Sequence, residues 1–199
     1  MNEPADDSLT TEQRSVLLQL ARQAVERAAS GQTGPSPRLD ELPEALCAPR
    51  ATFVTLTRNG DLRGCIGALQ AMLPLAEDVV LHARAAATED FRFYPVRPEE
   101  APGIEIEISI LSEPAPLEYR DADDLMARLR PGIDGVILSS GLHRATFLPQ
   151  VWEKVSHASH FLDLLCEKAG LASRAWRTAH PDILTYQVDS FRETTAADR

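Results

Sequence analysis

A chain of 199 residues with 44% hydrophobic and 25% charged side chains is long enough to bury about 70% of the surface its unfolded form exposes, which argues against disordered or fibrous architecture. Thirty acidic against twenty basic side chains leave a formal charge of -10, which opposes a nucleic-acid backbone unless the basic groups cluster on one face. The longest uncharged run, 64–76, contains Pro74 and is too short for a membrane helix, and the acidic start is the reverse of a secretory leader, so the expected location is cytoplasmic with no membrane partner.

Residues 1–10 read as a flexible N-terminal tail, 11–191 as a single domain and 192–199 as a C-terminal tail. Apolar residues from Val16 to Ala28 recur at helical spacing behind a Thr10/Gln13 capping box, predicting a helix over Thr11–Ala29. A long connection with five irregularly placed Gly and Pro residues follows over 32–50. Segments 52–57 and 62–69 are β-rich and flank Asn59-Gly60, the pair that suits a type I′ hairpin turn. With a two-residue turn, Arg58 faces Asp61, Leu56 faces Arg63 and Val54 faces Cys65, which places Arg63 and Cys65 on one face. Pro74 opens a second helix reaching to about Thr88, with Leu75, Val79, Ala83 and Ala86 on its buried stripe.

After a loop over 90–103, Ile104, Ile106, Ile108 and Ile110 alternate with Glu105, Glu107 and Ser109, the pattern of a strand with one buried and one wetter face. A short helix over 121–130, a hairpin across Ser140-Gly141, a helix over 159–169 capped by Gly170 and a terminal strand over 183–188 complete the reading. Hairpins with helices between them predict an α+β fold around a mostly antiparallel sheet.

Chemistry concentrates in Arg63-Gly64-Cys65-Ile66-Gly67. Two glycines inside a strand cost stability and mark a bulge or the close approach of another group. A neighbouring guanidinium favours thiolate over thiol, giving Arg63 and Cys65 a route to reactivity; the competing reading is a buried structural cysteine beside packing glycines. Phe91, Phe93 and Tyr94 around Arg92 either line a pocket for a planar or anionic group or pin their loop to the core. Cys47, Cys65 and Cys166 show no CxxC spacing and read as three thiols, with no disulfide framework and no metal site. His157 and His160, lacking matching carboxylates or thiolates, make no convincing metal motif, and the phosphate-loop, dinucleotide and serine-hydrolase motifs are missing, so no cofactor is identified.

The motifs together resemble the AMMECR-type domain family, also called AmmeMemoRadiSam system protein A. FVTLTRNGDLRGCIGAL over 53–69 is similar to that family's central hairpin, AAATEDFRFYPV to its Asp-Pro-Arg-Phe segment, and IEIEISIL, FLPQVWE and FLDLLCEKAGL follow in the family's order. Phe91 stands where the family usually has proline, and Ala51 where glycine is usual. The resemblance implies a larger and a smaller lobe forming a cleft. It carries over Arg63, Gly64, Cys65 and Gly67, then Asp90, Arg92 and Phe93, Glu107, and Pro149 with Gln150, as functional candidates. It also implies a pathway shared with a Memo-like protein and a radical S-adenosylmethionine protein, without implying that this chain binds the iron-sulfur cluster.

Two functional classes follow. One is an enzyme or enzyme component in which Cys65 acts, Arg63 stabilises its thiolate or an anionic substrate, Glu107 or Asp90 transfers a proton, and Gly64, Gly67, Arg92, Phe93 and Gln150 bind a small-molecule ligand. The other is a non-catalytic adaptor presenting the RGCIG surface to a protein partner.

Overall fold

Thr10 starts the first helix as expected: its hydroxyl accepts from the Gln13 amide at 3.2 Å while its own amide donates to the Gln13 side chain at 2.9 Å. The computed structural model describes residues 9–193. They divide into two units, one built from residues 9–111 with 189–193 and one from Ser112–Val188. Of the expected tails, 1–8 and 194–199 lie outside the described residues; Leu9 is buried, and Arg192 ends a strand.

The first unit contains α1 (Thr11–Ala29), β1 (Ala51–Arg58), β2 (Asp61–Gly67), α2 (Leu75–Thr88), β3 (Glu105–Leu111) and, from the far end of the chain, β8 (Val188–Arg192). Its sheet runs in the order β2-β1-β3-β8. Strict alternation in β1 and β3 turns Val54, Leu56, Ile106, Ile108 and Ile110 to one face. There they share a core with Leu17, Ala21 and Val25 of α1 and Val79, Ala83 and Ala86 of α2. One polar group is sealed between sheet and helix: Thr52 donates to Asp78 at 2.6 Å, and the same carboxylate oxygen lies 3.1 Å from His82 Nδ1. All three residues are buried, so the shared carboxylate satisfies groups that would otherwise be stranded away from water.

The second unit contains β4 (Ala115–Pro116), α3 (Ala122–Arg128), β5 (Gly135–Ser140), β6 (His143–Phe147), α4 (Ala158–Lys168) and β7 (Asp182–Tyr186), with strand order β4-β7-β5-β6. Leu125, Val136, Leu138, Phe161 and Leu165 form its core together with both tryptophans. Trp152 stacks on Phe161 with ring centroids 3.8 Å apart and donates its indole N–H to Asp134 O at 2.7 Å; Trp176 donates to Asp163 at 2.7 Å. Tryptophan is thus used here as a packing body with a satisfied polar edge.

The fold is α+β, with two four-stranded antiparallel sheets where the sequence pattern suggested one. The cause is local. The expected terminal strand over 183–188 is two strands: β7 pairs with β5 and β4, whereas β8 joins β3 in the other sheet. Gln187 marks the change, its amide donating to the Ser112 hydroxyl and its carbonyl accepting from the Ser112 amide, each at 2.9 Å.

Candidate functional site

Asn59 and Gly60 take φ of 53° and 84°, the paired positive values of the expected turn, and Arg58 faces Asp61 as expected. Beyond that point the expected register fails. The ladder shifts between Leu56 and Thr57, leaving Arg63 without an opposite number, so Leu56 faces Gly64 and Thr55 faces Cys65. A one-residue bulge exchanges the two faces of every residue that follows it. In the expected register Cys65 would share the core face of Val54 and Leu56. The bulge instead sets it beside Thr55, on the face turned away from α1 and α2. Thr55 donates its hydroxyl to Cys65 Sγ at 3.4 Å.

β1 carries the pattern one strand further. Thr55 also faces Glu107 of β3, so Cys65, Thr55 and Glu107 form a row across three strands, all half-buried. Cys65 and Glu107 stand two strand spacings apart, about 10 Å along the row. The Glu107 carboxylate has no hydrogen bond or ion pair among the described residues. Thr55 is the member that sequence reasoning missed, because only the bulge makes it the neighbour of the sulfur.

β2 is an edge strand, and the loop after α2 closes its exposed edge at Cys65. Asp90 Oδ2 accepts from the Cys65 amide at 2.8 Å, while Arg92 donates to the Cys65 carbonyl at 3.3 Å. Arg92 and Asp90 bind each other in a fork, Nε to Oδ1 at 2.9 Å and Nη2 to Oδ2 at 2.6 Å. The Arg92 guanidinium, aided by the amides of Cys65 and Arg92, holds the Asp90 carboxyl well below the usual carboxylate range against the opposing effect of burial. A carboxylate so firmly ionised is suited to fixing the backbone of Cys65, whereas a proton carrier needs a pKa nearer the working pH. Phe93 lies under Arg92 with 5.4 Å between guanidinium carbon and ring centroid.

Arg63, the residue the bulge leaves unpaired, turns to that same loop. It donates to the carbonyls of Tyr94 and Pro95 at 2.8 and 3.4 Å and pairs with Glu100 at 3.2 Å. Glu100 also receives the Arg97 amide and pairs with Arg58 at 3.1 Å; the Arg97 amide and then Arg63 lower its carboxyl from the ordinary value. Arg63 is therefore committed to the loop, and Arg92 is the guanidinium bonded at Cys65.

The space beside the two glycines belongs to the protein itself. A Cβ on Gly64 would meet the backbone carbonyl of Ala86 in α2, and one on Gly67 would meet the Phe53 ring and the Thr52 carbonyl. Both residues permit close packing of chain on chain. Gln150 belongs to the second unit, exposed in a 3-10 turn over Pro149–Glu153 whose Pro149 is buried. All three cysteines are free thiols; Cys166 is buried, and that burial pushes its pKa up. Among the described residues no three His, Cys, Asp or Glu side chains converge in a group that could hold a metal ion, and no helix is long and apolar enough to cross a membrane.

Comparison with known proteins bears on identity. A protein of Methanothermobacter thermautotrophicus is 37% identical over 191 residues, covering 93% of this chain and 96% of its own. One of Thermofilum pendens is 36% identical over 202 residues, covering 94% and 92%. In the crystal structure of the uncharacterised protein PH0010 from Pyrococcus horikoshii, a chain 29% identical superposes with a TM-score of 0.84 over 96% of each chain. The AMMECR1 family profile matches residues 18–191, a span that takes in the hairpin, the clamp loop and β3; the chain belongs to the AMMECR1 family, whose molecular function is not established.

Proposed function

We propose that this protein is a cytoplasmic enzyme or enzyme component that binds a small electrophilic substrate over the Cys65–Thr55–Glu107 row, in a pathway shared with a Memo-like protein and a radical S-adenosylmethionine protein. The observation that carries this reading is the bulge. It takes Cys65 off the core face and sets its sulfur 3.4 Å from the Thr55 hydroxyl, in line with an uncommitted carboxylate. In the reaction envisaged, the Cys65 thiol loses its proton to water, and the thiolate, hydrogen-bonded by Thr55, adds to the electrophilic carbon of a polarised double bond. The π pair moves to the far atom of that bond, and a proton from water is taken up there. Glu107, too far from the sulfur to take its proton directly, faces the far end of the substrate, where it orients the group that is protonated. The roughly 10 Å along the row gives room for a small molecule lying over Thr55. Asp90 and Arg92 act as positioning residues that hold the Cys65 backbone from the edge side.

The adaptor reading has its own support in Phe91 and Tyr94, 95% and 91% exposed on the loop that clamps β2, because large exposed aromatics are frequent anchors at protein interfaces. Purification under native conditions followed by mass spectrometry separates the two. The enzyme reading expects a small molecule to be released on denaturation of wild type and to be absent or altered in Glu107→Gln. A stoichiometric protein partner recovered without any small molecule, and lost when Phe91 and Tyr94 are changed to serine, would establish the adaptor instead.

A further inference from the structure

The long connection after α1 builds a cavity that has no part in the Cys65 row. Segment 32–42 folds back over the C-terminal half of α1 and the outer side of α2, enclosing about 310 Å³. The floor is apolar, formed by Leu20, Ala24, Leu42 and Val80, while guanidinium groups come from three directions: Arg27 on α1, Arg38 on the connection and Arg84 on α2. A cavity of this size is at the lower end for small-molecule sites.

The three arginines differ in their commitments. Arg38 is occupied by Asp40 at 3.2 Å and Glu41 at 2.8 Å. Arg27 has no carboxylate partner among the described residues and lies against Gly34, where a Cβ would stand 2.7 Å from its Nη1, so the glycine makes the space that the side chain fills. Arg84 has a single distant partner, Glu89 at 3.6 Å, and its Nε is buried with no hydrogen-bond acceptor. A buried guanidinium N–H without an acceptor is costly, and a bound oxyanion supplies one. In a chain of net charge -10, Arg27 and Arg84 above an apolar floor, with the cavity's Glu41 taken up by Arg38, form a local exception to the prevailing charge.

We infer that this cavity binds a small oxyanion carried on an apolar body, a phosphate monoester or a carboxylate, with Arg27 and Arg84 holding the charged end and the leucine and valine side chains receiving the rest. Guanidinium forks match both oxyanions, and the half-open cavity of about 310 Å³ has room for a body the size of an aromatic ring.

The test is titration of the full chain with phenyl phosphate and, separately, with benzoate, followed by amide chemical shifts and by thermal unfolding. At least one of the two probes is expected to saturate below about 1 mM, and which one does identifies the oxyanion; inorganic phosphate, which leaves the floor empty, should bind at least about tenfold more weakly. Arg27→Met and Arg84→Met should each weaken the saturating probe by about tenfold or more. Leu81→Glu, at a rim residue already 37% exposed, should oppose the probe by charge with little effect on folding. Cys65→Ser should leave binding unchanged. The inference is overturned if neither probe saturates, if inorganic phosphate binds as tightly as the better probe, if all three cavity variants bind like wild type, or if Cys65→Ser abolishes binding.

Discussion

Gly64→Val is expected to destabilise the first unit by about 3 kcal/mol, enough to remove much of a small protein's stability. Strand propensity alone gives the opposite sign, since valine is favoured in strands and glycine is not. The contact decides otherwise. The new Cβ would have to occupy the place of the Ala86 carbonyl, which belongs to the backbone of α2 and cannot turn aside like the end of a flexible side chain. Either α2 moves off the sheet, opening the core around Val79, Ala83 and Ala86, or β2 leaves its ladder. Urea unfolding checks this by a large drop in midpoint, with Cys65→Ser as a same-strand control expected to stay within about 1 kcal/mol of wild type. A wild-type midpoint for Gly64→Val would show that the glycine is not required for helix and strand to meet.

Asp90→Ala should cost about 3 kcal/mol at neutral pH, because it deprives the Cys65 amide of its acceptor and the Arg92 guanidinium of its counter-charge at once. The effect depends on pH in a defined direction. Folding holds the Asp90 carboxyl below its ordinary value, chiefly through Arg92. The stabilisation is therefore complete above the unfolded-state value, near pH 4, and is lost as pH falls from there through the native value. Denaturant midpoints of wild type and variant should differ fully at pH 7 and approach one another below about pH 4. A gap that stays constant down to pH 2 would assign the stability of this loop to its packing.

The elements of this fold were legible wherever one local cause dominated. The Thr10 capping box, the Asn59-Gly60 turn and the isoleucine alternation of β3 each specify an element within a few residues, and each lies where the sequence pattern indicated. The face of Cys65 was not legible. It depends on a single unpaired residue, and nothing between Leu62 and Gly64 announces that Arg63 drops out of the ladder, because its alternative partners, Glu100 and the carbonyls of Tyr94 and Pro95, are more than thirty positions away. The same holds for the glycines. Their presence in a strand shows that something approaches closely, but only the folded chain reveals that the approaching group is Ala86 of α2 at Gly64 and Phe53 with Thr52 of β1 at Gly67. The split of the terminal strand into β7 and β8 is not legible because alternation continues through Gln187, and a change of sheet leaves no mark in the period.

Rates of alkylation of the three native thiols by iodoacetamide, resolved by mass spectrometry at fixed neutral pH, test the role of Cys65 directly. Cys166 is buried and held toward the thiol form by that burial, while Cys47 is half-exposed with its sulfur directed at the Leu39 and Pro43 carbonyls at 3.5 and 3.6 Å. Neither has a hydroxyl donor bonded to sulfur as Cys65 has in Thr55. Cys65 is expected to react first, about tenfold or more ahead of Cys47, with Cys166 unmodified until the protein unfolds, and Thr55→Val should slow Cys65 several-fold without altering the rate at Cys47. A Cys65 that reacts no faster than Cys47, and at a rate indifferent to Thr55→Val, would contradict its assignment as the nucleophile and leave it a structural residue of the β2 edge.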